Sequence, residues 1–362
     1  MRKVLSVLFA LALHAPLTGS LQLGTGVPDY DILAQLRIFD GLRCPERNPD
    51  DWTVEERLHQ ALLLFGVADP ENAELSPISA GLTNANYRLH HEGRDYFIRI
   101  AARNSEQLGV DRDAEIAAMQ LAGEAQLSPQ MLAHYPDEGV LVFEFLKGQQ
   151  VPASYVRHPQ ILKRIALTFQ RCHKLPSTLP RQVNPFERIH SLYEAVLAEG
   201  IALPENARAV MRCMDKIEQT LGSSDYSVPC HLDVHAGNLL CDGWKLWLVD
   251  WEYAGMCHPY FDLGSFASTS KLSNKELGLL LRFYSGETNP EALAELRLYR
   301  MTADLHWSLW CFLQSKMSDV DYDYEAEGLR LWQNYVDAML QPQFHRDLAL
   351  AHPSKNMVAK AS

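Results

Sequence analysis

Between Val228 and Trp251 the chain reads V-P-C-H-L-D-V-H-A-G-N-L-L-C-D-G-W-K-L-W-L-V-D-W, and this stretch constrains the fold more than any other. Asp-Gly is a hairpin dipeptide, because a tight hairpin turn needs positive φ. Asp242-Gly243 is flanked by two short apolar runs, Asn238 to Cys241 and Lys245 to Val249. The pattern predicts two strands folded back on each other about a two-residue turn at Asp242-Gly243. His231 to Asn238 then becomes the loop entering the first strand, and Asp250 sits at the exit of the second. Asp233, Asn238 and Asp250 are therefore expected at one end of a rigid ribbon.

Two carboxylates and an amide at one spot suit a particular chemistry. Asn238 and Asp250 offer hard oxygen ligands of the kind Mg²⁺ prefers. Asp233 can accept a proton from an attacking hydroxyl. The spacing D-x-x-x-x-N followed by a strand-borne Asp is that of the kinase catalytic loop and its metal-binding aspartate. In isolation such a spacing is more often a solvated hairpin with acidic ends. A second chemistry stays open, because His231-x-Asp233-x-His235 could place three metal ligands together on a tight loop. That would make the chain a zinc-dependent hydrolase.

H-L-D-V-H-A-G-N-L-L, then L-V-D-W-E-Y-A-G, then Y-F-D-L resembles the core of the choline/ethanolamine kinase family within the aminoglycoside phosphotransferase superfamily. The resemblance covers roughly residues 75 to 340. It implies an α/β fold of the α+β kind, a two-lobed protein-kinase-like structure. It also implies ATP and Mg²⁺, with Asp233 as catalytic base, Asn238 and Asp250 on the metal, and Asp262 bracing the catalytic loop.

The whole composition agrees with an ordinary folded enzyme. The 362 residues suffice for two lobes, and 47% apolar with 22% charged residues describes a globular chain. A net charge of −12 argues against a nucleic-acid or anionic-membrane partner and leaves a small cationic substrate open. Seven scattered cysteines without a C-x-x-C pair suggest neither a disulfide framework nor a structural zinc, and fit a reducing compartment.

The first fifty residues are read as an N-terminal extension. Arg2-Lys3 precede an apolar run, Val4 to Leu13, with the outline of a secretory signal but without a clean A-x-A site. The run is too short to span a bilayer. It is read as a misplaced start or dispensable extension, with an interfacial anchor and a true signal as the other readings. An ATP-dependent kinase belongs in the cytoplasm.

A nucleotide-binding lobe is expected over 51–146, an antiparallel sheet with one packed helix. Asp51 can cap a helix from about Trp52 to Phe65. Gly81-Leu82-Thr83-Asn84 lies between two short strands, where small residues let backbone N–H groups approach phosphates; it resembles the family's G-L-T-N loop. Tyr96 to Ile100 is a strand carrying one charge, Arg99, whose fork suits phosphate oxygens. The resemblance pairs Arg99 with Glu115, on a helix from about Asp111 to Glu124. It makes Val140 to Leu146 the strand reaching the interlobe linker, with Glu144 and Leu146 beside the adenine.

A helical catalytic and acceptor-binding lobe is expected over 147–345, with a tail over 346–362. Ile161, Ile165, Leu167, Phe169 and Cys172 fit a core helix, and Leu192 to Glu199 and Asn206 to Leu221 read as two more. His306-Trp307-Ser308-Leu309-Trp310 places two tryptophans three apart on one helical face. Such a pair is usually core; with the surrounding match it becomes a wall for a quaternary ammonium. The resemblance adds His235, Tyr253 and Tyr324 to the acceptor site. The chain departs from the family at Thr269, where choline kinases carry Glu, at Glu327 in place of Tyr, and at His235 in place of the usual Gln. The acceptor is therefore expected to be a small cationic amino-alcohol, choline before ethanolamine, with thiamine or an aminoglycoside as alternatives. A non-catalytic binding protein is the remaining competitor.

Overall fold

The structure is a computed structural model that describes residues 52–78, 84–101, 111–222, 227–318 and 322–351. The N-terminal extension, the loop residues Gly81, Leu82 and Thr83, and the end of the tail lie outside the described residues.

Thr53 starts the first helix, α1 (Val54–Leu64). Its hydroxyl accepts from the Glu56 N–H at 3.2 Å, and the Glu56 carboxylate accepts the Thr53 N–H at 2.8 Å. This reciprocal box satisfies N–H groups that a helix start leaves without partners. The cap is thus Thr53, two residues beyond the expected Asp51. A five-stranded antiparallel sheet follows, in the order β1 (Glu74–Ile78), β2 (Ala85–His91), β3 (Arg94–Ile100), β5 (Val140–Glu144), β4 (Met131–Tyr135).

Alternation along the strands assigns the two faces of this sheet. Ile98 and Ile100 of β3 pack with Val140 and Val142 of β5 against Leu58, Ala61 and Leu62 of α1. The residues between them, Phe97 and Arg99, point to the opposite face and line a cleft. On that face Leu141 and Phe143 join Ala118, Met119 and Ala122 of α2 (Arg112–Glu124). Both expected helices, near 52–65 and 111–124, thus pack on the sheet, one on each face, rather than one alone, because a sheet with an apolar residue at nearly every central position must cover both faces.

The larger part is helical. It runs through β6 (Gln149–Gln150), α3 (Pro159–His173), α4 (Pro185–Ala198), α5 (Ala207–Leu221) and β7 (Val228–Cys230). The ribbon β8 (Leu239–Cys241) and β9 (Leu246–Leu248) follows, then β10 (Gly255–Cys257), α6 (Pro259–Thr269), α7 (Asn274–Ser285), α8 (Pro290–Met317), α9 (Tyr324–Met339) and α10 (Pro342–Leu350). In α3 Leu162 is buried and Leu167 is 42% exposed, so the core stripe is Leu162, Ile165, Phe169 and Cys172 rather than one through Leu167. Helix α4 begins seven residues before the expected Leu192, where Asn184 Oδ1 accepts the N–H groups of Phe186 and Glu187. Helix α10 crosses the expected start of the tail at 346; its Asp347 is buried and paired with Arg297 of α8.

No helix among the described residues is long and apolar enough to cross a membrane. The six described cysteines are all free thiols.

Gly264 fixes how closely α6 meets α8. A Cβ there would lie 2.8–2.9 Å from the backbone of Tyr299 and Arg300, which no side-chain rotation can relieve. Gly264→Ala is expected to force the helices apart at a cost of about 1–3 kcal/mol. A drop in thermal midpoint checks this; an unchanged midpoint shows that the crossing is looser than drawn.

Candidate active site

The β8–β9 ribbon has its tight end at Gly243-Trp244. Asp242 N–H donates to Lys245 O at 3.3 Å, and Asp242 Oδ1 accepts from the N–H groups of Trp244 and Lys245 at 2.8 and 2.7 Å. Gly243 has φ +95° while Trp244 and Asp242 do not enter positive φ. The turn is thus one residue later than expected, with glycine at the first central position, as II′-type turns require. The far end of the ribbon carries Asn238 and Asp250, tied by the Val249 N–H donating to Asn238 O at 3.1 Å.

His231 to Asn238 forms the entering loop. Asn238 Nδ2 donates to Asp233 Oδ2 at 3.1 Å and to Asp233 O at 2.9 Å, which closes the loop on itself. Leu232 sits at φ +65°, a conformation that a branched side chain seldom adopts. Asp262, fully buried in the first turn of α6, holds it there. Its carboxylate accepts the N–H groups of His231 and Leu232 at 2.9 and 2.7 Å, and His173 Nε2 at 3.1 Å. Asp250 is also left-handed, at φ +68°. Backbone strain of this kind clusters where function demands geometry.

Arg99 spans the two lobes. It pairs with buried Glu115 of α2, and its Nη1 reaches Asp250 Oδ1 at 3.2 Å. Arg112 Nη1 holds the second Glu115 oxygen at 2.5 Å. Burial alone would weaken the charge on Arg99, but Glu115 and Asp250 hold its protonation above the ordinary range. A cleft of 310 Å³ opens beside it, lined by Asn84, Phe143, Glu144, Leu146, Asn238 and Asp250 among others. The Asp233 carboxyl is raised well above its usual range, by burial first and then by the charges of Asp250 and Glu252.

Four aromatic side chains form a continuous row. Tyr253 meets Trp307 edge-on at 6.1 Å, Trp307 meets Trp310 at 5.6 Å, and Trp310 meets Tyr324 at 5.8 Å. Trp307 is anchored by its Nε1 donating to Ser265 Oγ at 2.7 Å. Burial raises the Tyr253 hydroxyl far above its usual range, with Glu252 and Asp233 adding to the effect. The row therefore starts next to the candidate base.

The model of the phosphotransferase enzyme family matches residues 74–299. The chain belongs to the phosphotransferase enzyme family. LicA of Haemophilus influenzae is 24% identical over 269 residues, covering 69% of this chain and 76% of that protein. Ethanolamine kinase 2 of Rattus norvegicus is 24% identical over 289 residues, covering 70% and 73%. The crystal structure of a choline/ethanolamine kinase family protein from Mesorhizobium loti superposes with a TM-score of 0.70 at 26% identity, covering 82% of this chain and 97% of that one. Membership and relatives together make the chain a small-molecule kinase with the two-lobed kinase-like fold.

Several expected features of this phosphotransferase stand differently in three dimensions. His231 cannot join Asp233 and His235 around a metal. Its Nε2 donates to Val249 O at 3.0 Å, its Nδ1 accepts the Asp233 N–H at 3.4 Å, and the ring packs on Trp251. His235 Nδ1 accepts the Gly237 N–H at 3.0 Å, capping a short 3₁₀ turn, while Nε2 lies 3.9 Å from Asp233. Burial holds the His235 ring neutral, and His231 adds to that.

Glu252 follows Asp250 by two residues and faces away from any acceptor charge role. It is instead buried beside Asp250 and Glu115, the three carboxylates offering oxygens within 4.8 Å of one another. Burial, and then the charge of Asp250, push Glu252 up to about 7. Glu252 thus joins the same carboxylate cluster as Asp250, two residues before it. Glu327 likewise offers no spare charge, because Arg330 grips both its oxygens at 2.7 and 2.5 Å. Thr269 donates its hydroxyl to the helix behind it, at Ser265 O, 3.1 Å away. Lys316 is at the surface on Glu199.

Proposed function

We propose that this kinase transfers the γ-phosphoryl group of ATP, with Mg²⁺, to the hydroxyl of a small amino-alcohol, choline and ethanolamine being the simplest. The observation that carries this is the position of Asp233. It is hydrogen-bonded to Asn238, which lines the cleft with Arg99 and Asp250, and its charge reaches Tyr253, the first of a row of four aromatic rings. Phosphoryl transfer asks mainly for positioning and charge neutralisation. Asp233 is suited to orient the acceptor hydroxyl and take its proton. Arg99 is placed to meet phosphate oxygens, and Glu115 keeps it from swinging away. The main chain at Glu144 and Leu146 offers the adenine site, and the loop Gly81 to Asn84 is assigned to cover the phosphates.

The donor set fits Mg²⁺. Asp250, Glu252 and Asn238 provide hard oxygens, and Asn238 leaves Oδ1 as its ligand atom because Nδ2 is committed to Asp233. Crowded carboxylates whose protonation is raised are those that a divalent cation would relieve. Bound there, the ion would neutralise charge on the phosphates. Use of ATP in this way fits a protein of the cytoplasm.

The row of rings suits a quaternary ammonium, which cannot donate a hydrogen bond and is held by aromatic faces, each worth about 0.5–2 kcal/mol. Trp310→Ala is therefore expected to raise KM for the acceptor roughly 2- to 30-fold and to leave KM for ATP near its original value. Equal changes in both would reduce the tryptophans to core packing. The function itself is tested by ATP-dependent phosphorylation of choline, ethanolamine, thiamine and an aminoglycoside. Preference for thiamine or an aminoglycoside removes the acceptor assignment and keeps the kinase.

A further inference from the structure

Gln150, the second residue of β6, lines the cleft together with Glu144, Leu146 and Gly148 of the chain just before it. Pairing with β8 sets where it stands. Gln149 lies opposite Cys241, and Gln150 lies opposite Leu240, which lines the same cleft. Gly148 allows this close approach, since a Cβ there would come 3.2 Å from Cys241 O. From β6 the Gln150 side chain crosses to the catalytic loop, where Nε2 donates to Gly237 O at 3.1 Å. Gly237 and Asn238 are consecutive in the short 3₁₀ turn, and both line the cleft. Gln150 is thus four residues past Leu146 in the chain and hydrogen-bonded to the neighbour of Asn238 in space.

Those two attachments bear on a nucleotide. With the adenine at the main chain of Glu144 and Leu146 and the phosphates at Arg99 and Asp250, the ribose of ATP has to bridge the two ends of the cleft. Gln150 is tied to both ends, to the first through the chain and to the second through Gly237. Chemistry fixes which way its amide faces. A carbonyl oxygen only accepts, so the NH₂ turns to Gly237 O and Oε1 is left over as an acceptor. A sugar hydroxyl is a donor of matching kind. Gln150 is exposed, so such a bond forms at the mouth of the cleft and has the ordinary strength of a neutral pair.

We propose that Gln150 Oε1 accepts a hydrogen bond from a ribose hydroxyl of the nucleotide and so sets a preference for ribonucleotide over deoxyribonucleotide. This rests on the ATP reading above and deepens it. One amide then serves two tasks. Its oxygen reads the sugar, and its nitrogen holds the turn that carries Asn238.

Titration calorimetry with the Mg²⁺ complexes of ATP, 2′-deoxyATP and 3′-deoxyATP tests this without any acceptor. The wild-type chain is expected to bind one of the deoxy compounds roughly 2- to 10-fold more weakly than ATP, the span of one neutral hydrogen bond. The compound that loses affinity identifies the hydroxyl. In Gln150→Leu the ratio between that compound and ATP is expected to fall to about one, because the variant and the deoxy sugar remove the same bond. Loss of the Gly237 bond weakens all three nucleotides alike, so the ratio decides and not the affinity for ATP by itself. A deoxy penalty that persists unchanged in Gln150→Leu makes the residue a tie for the loop and overturns the proposal. Equal wild-type affinity for all three nucleotides overturns it too. Both results leave the kinase standing. If the wild-type chain binds none of the three with Mg²⁺, the kinase reading falls and the proposal falls with it.

Discussion

Asp233→Ala is expected to lower kcat by roughly 10²–10⁴, the usual range for a positioned general base, while Kd for Mg–ATP stays within a few-fold. The carboxylate is hydrogen-bonded to Asn238 of the cleft, and its charge reaches Tyr253, the first ring of the aromatic row. Its loss also removes one acceptor of the Asn238 amide, so Asp233→Asn is the sharper variant. Asparagine keeps the shape and an oxygen for Asn238 but cannot take the proton. If Asn is as slow as Ala, proton acceptance is the missing element; if Asn restores most of the rate, Asp233 is only a hinge of the loop. A pH profile adds an independent reading. The active form is the carboxylate, so kcat falls as pH drops through the Asp233 pKa. Burial and the charges of Asp250 and Glu252 hold that pKa above the usual carboxylate range. The acid limb is therefore expected at higher pH than for a free carboxylate, and it disappears in Asp233→Asn. A wild-type rate flat across the acid range contradicts the assignment.

The parts of the site that were legible in the chain are those built by local repeats. Period-two alternation along β3 separates Arg99 from Ile98 and Ile100, so the charge on that strand must face the cleft while its neighbours face α1. A hairpin brings its two ends together whatever its turn type, and Asn238 and Asp250 meet even though the turn is at Gly243-Trp244. Helical spacing likewise puts Trp307 beside Trp310. What remained hidden depends on backbone direction or on contacts across long separations. Glu252 meets Glu115 of α2 across a long separation in sequence. Gln150 meets Gly237, 87 residues away by number, where β6 pairs with β8. Leu162 and Leu167 are chemically alike, and only the packing of α3 chooses between them.

Asp262 tests whether the catalytic loop is held from behind. Three donors converge on its two oxygens: Leu232 N–H on Oδ1, and His231 N–H with His173 Nε2 on Oδ2. The His173 ring is itself fixed, its Nδ1 taking the Tyr284 hydroxyl at 2.8 Å. Asp262→Ala leaves these donors buried without an acceptor, and each unsatisfied group costs about 1–3 kcal/mol. The expected loss is about 3–5 kcal/mol, as for breaking a buried charged pair, read as a lower thermal or urea midpoint. The more informative change is Asp262→Asn. An amide offers one oxygen where the site needs two, and either orientation sets its NH₂ against an N–H of the loop. Asparagine is therefore expected to recover little of the stability. Activity should fall further than the folded fraction does, because Leu232 no longer has a reason to stay at φ +65° and Asp233 is the next residue. Full kcat in the folded Asp262→Asn protein would show that the loop keeps its shape without the brace, and that the strain at Leu232 is held by Asn238 alone.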